Sequence, residues 1–173
     1  MQAQDPQEII VRYLLDSAKL GDNPAQPGSI SILIEHKMAQ FIIYIVRYIS
    51  QQQQLYACII VRPTEASSWE FAHFQLMGGA SIADLPQKPP PQVALAHYST
   101  PHSSFVGVAA LPNEVQVTTI SLKDSHGFVS ISQPGNNAAL FVIDQALQKP
   151  IYIETLDHNQ VVLSRHVISD PVV

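Results

Sequence analysis

Four apolar runs lie close together in the first half of the chain, between residues 29 and 76, and short polar breaks separate them. The runs are rich in Ile, Val, Phe and Tyr, which fit the pleated surface of a sheet. They predict four consecutive antiparallel strands of one sheet. Both faces of these strands are largely apolar, so the predicted sheet needs cover on two sides.

One amphipathic helix is predicted before the four strands. Asp5 can cap this helix, Pro6 stands at its first position, and Lys19 and Gly21 mark its end. Its apolar stripe, with spacings of three and four residues, comprises Ile10, Tyr13, Leu14 and Ala18. We expect one helix of about four turns, packed on one face of the sheet.

The turn between the second and third strands decides which side chains are neighbours. If the glutamines at positions 51 to 53 form this turn, Arg47 faces Ala57 and Tyr48 faces Tyr56. A slip of one residue changes these partners and exchanges the two faces. The pair Gly78-Gly79 is expected to end the fourth strand.

Prolines accumulate after the fourth strand, at positions 86 and 89 to 91. Such a segment favours an extended, semi-rigid spacer. We therefore expect a helix-plus-sheet domain over residues 1–85, a proline-rich linker over 86–92 and a second domain over 93–173. The alternative is a long ordered loop inside a single domain.

The second half contains seven short apolar runs, and turn-forming Pro, Gly, Asn and Asp separate them. Seven short strands at regular spacing predict an immunoglobulin-like β sandwich. The Cys and Trp signature of true immunoglobulin domains is absent from this half, because Cys58 and Trp69 both lie in the first half. The prediction therefore concerns architecture alone, and the whole chain is predicted to be α+β.

Two resemblances follow from this layout. The single helix on a four-stranded antiparallel meander resembles the cystatin-like and nuclear-transport-factor-like architectures in element order. The helix, the segment Gly28-Ser29-Ile30, the Trp69 strand and the hairpin over residues 156–163 together resemble small uncharacterised two-part bacterial proteins, often exported or surface-attached. This resemblance implies an extracytoplasmic or cell-surface location and implies no activity.

Charge is scarce in this chain: 13% of its 173 residues are charged, against 46% that are hydrophobic. So few charges favour an apolar surface buried in an oligomer or against a partner, although a soluble monomer remains the alternative. The net charge of −5 and the lack of a basic run argue against nucleic acid. No apolar run approaches the roughly 20 residues of a membrane span.

The N-terminal residues show no basic segment followed by an apolar one, so no signal peptide is expected. A chain whose leader had been removed would read the same. A single cysteine excludes an intrachain disulfide framework and any CxxC motif. This weighs slightly toward a reducing compartment.

Seven histidines are the natural place to search for a metal or catalytic site. None has HxH, HExxH or HxxxH spacing, so neither a metal nor a cofactor is predicted. His97 and His102 lie in one short segment, where zinc would need two further ligands. His126 and His158 stand beside Asp124 and Asp157 in turns, where we interpret the aspartates as hairpin-tip residues rather than catalytic ones.

Cys58 and His73 form the sharpest candidate for chemistry. One register of the third and fourth strands places them opposite each other, as a thiolate and imidazole pair requires. A slip of one residue separates them, and a cysteine in the apolar run ACIIV is typical of a core.

Arg47 and Arg62 interrupt apolar strands, and Glu35 and Glu70 are candidate partners for them because of strand proximity. Arg47 can line a pocket for a carboxylate or a similar anion, or it can keep its head in water while its stem packs. Together with Trp69 and His73, it forms the candidate ligand-binding set.

No nucleophile elbow, phosphate-binding loop or dinucleotide turn is present in the sequence, and no catalytic residue is assigned. The sequence therefore predicts a non-enzymatic binding or structural module. Its partner would be a protein, a glycan or a second copy, bound through an apolar sheet face. The alternative is a small-ligand or enzymatic pocket in the first domain.

Overall fold

The computed structural model describes residues 5–65, 68–85, 92–111, 116–134 and 137–169. The chain divides into two compact units, one ending at Ala83 and the other beginning at Asp84. Both consist mainly of antiparallel sheet. Residues 86–91 of the predicted proline-rich linker lie outside the described residues.

The N-terminal helical segment consists of two helices, α1 (Pro6–Leu15) and α2 (Ser17–Leu20), where a single helix was predicted. Asp16 separates them in an extended conformation, and its carboxylate accepts a hydrogen bond from the Ala18 N–H at 3.0 Å. This side-chain acceptor offers the backbone an alternative to continuing the helix. The start is as predicted, with the Asp5 carboxylate accepting from the Gln7 N–H and Pro6 in the first turn.

The first unit contains a four-stranded antiparallel meander in the order β1-β2-β3-β4, as predicted. Its strands are β1 (Ser31–Lys37), β2 (Ile42–Ser50), β3 (Gln53–Pro63) and β4 (Trp69–Ser81). A 3₁₀ turn over Ile82–Asp84 follows β4.

The predicted pairing of β2 with β3 is wrong by one residue. Ser50 pairs with Gln53, so the turn contains only Gln51 and Gln52, both with positive φ. Arg47 therefore faces Tyr56 instead of Ala57. A two-residue turn with two positive φ angles has a backbone twist that matches the right-handed twist of the flanking strands. This match favours the two-residue turn over a longer one.

Strand β4 continues through Gly78 and Gly79, which were expected to end it. A Cβ on Gly79 would lie 2.4 Å from the backbone oxygen of Gln54 on the neighbouring strand. The glycine therefore permits a close approach of two paired strands and does not terminate one.

Two β-bulges in β4 set which of its side chains face the helix. The pairing with β3 skips Ala72 and Met77, one extra residue at each point. Phe71 and Phe74, three positions apart, consequently both pack on the face that α1 covers. The Tyr13 ring stacks on Phe71 with centroids 3.7 Å apart and lies 5.7 Å from Phe74.

The core between α1 and the sheet contains buried residues from the helix and from the two central strands. Ile10 and Leu14 of the predicted apolar stripe are fully buried, whereas Ala18 is exposed. The sheet supplies Ile42, Tyr44, Val46, Tyr48, Leu55, Ala57, Ile59 and Val61. Every second residue of β2 and β3 thus faces the helix.

The second unit contains seven strands in two antiparallel sheets. The strands are β5 (Val93–Ser99), β6 (Ser104–Ala110), β7 (Thr119–Lys123), β8 (Val129–Ser132), β9 (Ala138–Ile143), β10 (Ile151–Leu156) and β11 (Val162–Ile168). One sheet has the order β5-β6-β9, and the other has the order β11-β10-β7-β8.

The two sheets of the second unit share one apolar core. Their inward side chains include Val106, Val108 and Phe141 from the three-stranded sheet, and Ile120, Leu122, Ile151 and Ile153 from the four-stranded sheet. Burying both inner faces in this way is how a β sandwich is stabilised. Among the described residues, neither helix has the length and apolar character needed to cross a membrane.

Candidate functional site

The sheet of the first unit separates the three residues predicted to bind a ligand. Trp69 packs on the core that α1 covers. Arg47 pairs with Tyr56 and His73 pairs with Ile60, and both alternate with residues of that core, so they lie on the opposite face. Along β3, their pairing partners are four positions apart. One pocket lined by all three side chains does not form.

Arg47 has a polar neighbour on the edge strand, with its guanidinium 3.4 Å from the Ser31 hydroxyl. Burial raises the pKa of Tyr56, and the neighbouring Arg47 only partly offsets this effect. The expected partner Glu35 instead forms an ion pair with Lys37 at 3.0 Å and accepts a hydrogen bond from Gln7 at 3.0 Å. Anion binding by Arg47 stays a prediction.

The other arginine has the expected partner, since Arg62 forms an exposed cross-strand ion pair with Glu70. Exposed pairs of this kind contribute little to stability because water and salt screen them.

The register does not place Cys58 opposite His73, as the proposed pair requires. Cys58 pairs with Gln75, two residues from His73 along β4. Burial raises the pKa of the Cys58 thiol to about 12, so the residue is a thiol at neutral pH. A protonated thiol is a poor nucleophile, and Cys58 is therefore best interpreted as a small core side chain.

The aspartates beside histidines hold their turns together, as predicted. Asp124 accepts backbone hydrogen bonds from His126, Phe128 and Gln148 at 2.8 to 3.2 Å. Burial raises the pKa of Asp124, but these three donors outweigh it and hold the pKa below its ordinary value. Asp157 likewise accepts from two backbone N–H groups of its own turn.

A hydrogen-bonded chain of hydroxyls and imidazole lies on the inner side of β10 and β11. The hydroxyl oxygens of Thr155 and Ser164 are 2.6 Å apart, and His166 Nε2 lies 3.1 Å from the Ser164 hydroxyl. Serine beside histidine is the start of a nucleophile and base arrangement. Thr155 is fully buried, however, and a buried hydroxyl needs a hydrogen-bond partner. This requirement accounts for these hydrogen bonds.

No group of three or more His, Cys, Asp or Glu that could hold a metal occurs within the described ranges. His97 lies on the core side of β5, where the alternation puts it with Val93 and Leu95. Burial and the positive charge of Lys149 lower the pKa of His97.

The outer face of the four-stranded sheet of the second unit, opposite the core, exposes large apolar side chains. Four large side chains stand on it: Val129 (52% exposed), Ile131 (66%), Tyr152 (37%) and Val167 (51%). The strand register arranges the face in two rows of neighbours. One row is Val167, Tyr152, Lys123 and Val129, and the next is Arg165, Glu154, Ser121 and Ile131.

A shallow groove of about 350 Å³ runs over the middle of this outer face, lined by Ser121, Lys123, Val129, Tyr152, Glu154 and Arg165. Arg165 Nε donates to the Glu154 carboxylate at 2.6 Å, which holds two charged side chains in place. The groove thus combines an aromatic ring, aliphatic side chains and fixed charges, the mixture found at binding surfaces.

A second, more open groove of about 660 Å³ follows the exposed side of α1. It is lined by Asp5, Gln7, Glu8, Val11, Arg12 and Leu15. Only Val11 and Leu15 are apolar there, so the outer face of the second unit is the stronger candidate.

The sequence contained part of the signal for the outer face. Strand β8 reads Val-Ser-Ile-Ser, with alternate apolar residues, but the sequence does not say which set faces solvent. The rows across four strands depend on the strand order, in which β10 lies between β11 and β7.

Comparison with known proteins gives no relative for this chain: no family model, no curated protein and no solved structure matches it.

Proposed function

We propose that this protein is a non-enzymatic binding module that holds a protein partner on the outer face of the second unit. The observation that carries the proposal is the cluster of exposed apolar residues Val129, Ile131, Tyr152 and Val167 on one sheet face. Several large apolar side chains exposed on one sheet face, interspersed with polar and charged ones, are typical of interaction sites. Tyr152 also lines the groove on this face, and it is an aromatic residue of the type that dominates interface energetics.

A protein partner fits this face better than a glycan does. The face has one aromatic ring, and its other large apolar side chains are the aliphatic Val129, Ile131 and Val167. Branched aliphatic side chains complement other apolar side chains, which a protein surface supplies. A glycan or a second copy of the chain would appear as a different outcome of the experiment below.

We further propose that the second unit is an immunoglobulin-like sandwich. Its third, sixth and seventh strands, β7, β10 and β11, share one sheet, as they do in immunoglobulin domains. Its first, second and fifth strands, β5, β6 and β9, share the other. The fourth strand, β8, pairs with β7 rather than with β9, which differs from the constant-domain arrangement.

The alternative function, a ligand or enzymatic pocket in the first unit, has no observation that favours it. Trp69 lies on one face of the sheet, and Arg47 and His73 lie on the other. Cys58 is protonated at neutral pH and lies in another pairing row.

Site-specific photo-crosslinking in the native host tests the binding proposal. A photoreactive residue at position 131 of the full chain should give a discrete adduct with one protein, identified by mass spectrometry. The purified partner should then bind the protein, and Ile131→Asp should weaken binding at least about tenfold, because it puts a charge in the apolar patch. Ile131 is already two-thirds exposed, so this change should leave folding intact.

Val11 provides the matched control, since it is an exposed aliphatic residue on α1 of the first unit. A photoreactive residue at position 11 should not give the same adduct, and Val11→Asp should not weaken binding. The proposal would be wrong if both positions gave the same adduct in equal amount, or if Ile131→Asp left the affinity for the partner unchanged. An adduct between two copies of the chain would assign the face to self-association instead.

A further inference from the structure

The outer face carries a local charge opposite in sign to that of the whole chain. Lys123 and Arg165 are cationic and Glu154 is anionic, so the face has two positive charges and one negative charge. The whole chain has a net charge of −5. A positive site within an otherwise negative surface attracts groups of negative charge and orients them.

The three charges are not equivalent. Glu154 and Arg165 pair with each other, with Nε of the arginine on one carboxylate oxygen. Lys123 has no ion pair within the part of the chain that the structure describes. It stands between Tyr152 and Val129 in its row, so its neighbours along that row are an aromatic and an aliphatic residue.

We infer that the partner segment bound by the outer face carries carboxylates among apolar side chains, with Lys123 as the residue that selects them. This inference rests on the proposed function and names the chemistry of the partner. Val129, Ile131 and Tyr152 receive the apolar side chains, while Lys123 pairs with a carboxylate of the partner. Arg165, held by Glu154, keeps its terminal N–H groups for a second contact.

The charge on this face disfavours two other occupants. Two copies packed through it would bring net positive surfaces together, and such like-charge contacts are costly at interfaces. Nucleic acid needs many cations along its phosphates, whereas this face offers two.

Two short peptides provide the probe: acetyl-Val-Glu-Val-Glu-Val-amide and its twin with lysine in place of glutamate. Each is titrated into the isotopically labelled full chain at low salt and followed by NMR. The glutamate peptide should shift amide signals of β7, β8, β10 and β11, and the lysine twin should bind at least about tenfold more weakly. Raising the salt concentration to about 0.5 M should weaken the binding of the glutamate peptide, because salt screens exposed charge pairs.

Charge variants then test the role of Lys123. Lys123→Glu should lower affinity for the glutamate peptide at least about tenfold and raise it for the lysine twin, whereas Lys123→Arg should restore binding. Lys37→Glu, on β1 of the first unit, is the matched control and should change nothing. A reversal of preference is a readout that loss of folding could not produce.

The outcomes separate the inference from the proposed function. Equal binding of both peptides at the outer face would overturn the charge inference and leave the face as an apolar binding site. Glutamate-peptide shifts outside these four strands, or no shifts on them, would overturn the inference, and the crosslinking experiment would then judge the proposed function alone.

Discussion

Contacts with the neighbouring strand restrict position 79 to glycine. The Cβ of any larger residue there would lie 2.4 Å from the Gln54 carbonyl oxygen and 2.6 Å from the Leu55 side chain. The nearer atom belongs to the backbone of β3, so it cannot rotate away. Relief would require the two paired strands to separate.

We predict that Gly79→Ala destabilises the first unit by about 1 to 3 kcal/mol, the usual cost of overpacking a close contact. Trp69 is the only tryptophan and lies in the first unit, so its fluorescence reports unfolding of that unit in urea. The matched control is Ala72→Ser, an exposed position in the same strand, which should leave the urea midpoint nearly unchanged. An unchanged midpoint for Gly79→Ala would show that the strands have more room than the structure gives them.

The hairpin between β2 and β3 sets which residues of these two strands pair with each other. In its turn, Gln51 has φ 45° and Gln52 has φ 66°, values that residues other than Gly, Asn and Asp rarely adopt. The side-chain amide of Gln51 donates a hydrogen bond to the Asp22 carbonyl at 2.6 Å. The tight turn is therefore formed by residues that do not favour it, with one side-chain hydrogen bond as compensation.

We predict that Gln52→Gly raises the stability of the first unit by about 0.5 to 1 kcal/mol, because glycine adopts a positive φ without strain. The backbone hydrogen bond from the Ile82 N–H to the Gln52 carbonyl would be retained. Urea unfolding followed by Trp69 fluorescence measures the change. Gln51→Gly should gain less, since it also removes the hydrogen bond to Asp22, and an equal gain would contradict this account.

The packing of strand β4 against α1 depends on its bulge at Ala72. Without this bulge, Phe71 and Phe74 would point to opposite faces, because residues three positions apart in a regular strand do. With it, both rings meet Tyr13 of α1. An extra residue in a strand leaves no pattern in a single sequence, since the side chains on either side still look like a strand.

At the scale of the whole molecule, we expect acid to destabilise the second unit. Burial lowers the pKa of His97 and His166, and Lys149 adds to the effect at His97. Nε2 of His97 is buried without a hydrogen-bond partner among the described residues. A proton added there would create a charged N–H with no acceptor.

We predict that the second unit loses stability as the pH falls through 6.5, the ordinary pKa of histidine, toward the lower value in the folded state. In that interval the unfolded chain binds more protons than the folded one, so acid favours unfolding. Thermal unfolding from about pH 7.5 to about pH 5.5 measures the slope. His97→Gln should make this slope shallower.

His158 gives the control for this experiment, because its exposed side chain stands at the tip of a hairpin. His158→Gln should leave the pH slope as it is in the unmodified protein. If both variants had the same slope as that protein, burial of His97 would not be a source of acid sensitivity.

The sequence by itself determined the elements. Apolar periodicity, β-branched residues and Pro, Gly, Asn and Asp breaks gave the N-terminal helical segment, the four-stranded meander and the seven short strands, because these are local preferences of backbone and side chain. The roles of Asp124 and Asp157 as turn residues were also readable, since an aspartate bonds backbone groups a few residues away.

Tertiary structure decided every arrangement that depends on register. The one-residue difference at Gln51 and Gln52 changed the partners of Arg47, and the register of β4 separated Cys58 from His73. The outer face arises only where β11, β10, β7 and β8 lie side by side. Side chains alternate along every strand, so one residue of slip reassigns a face, and no local preference fixes that slip.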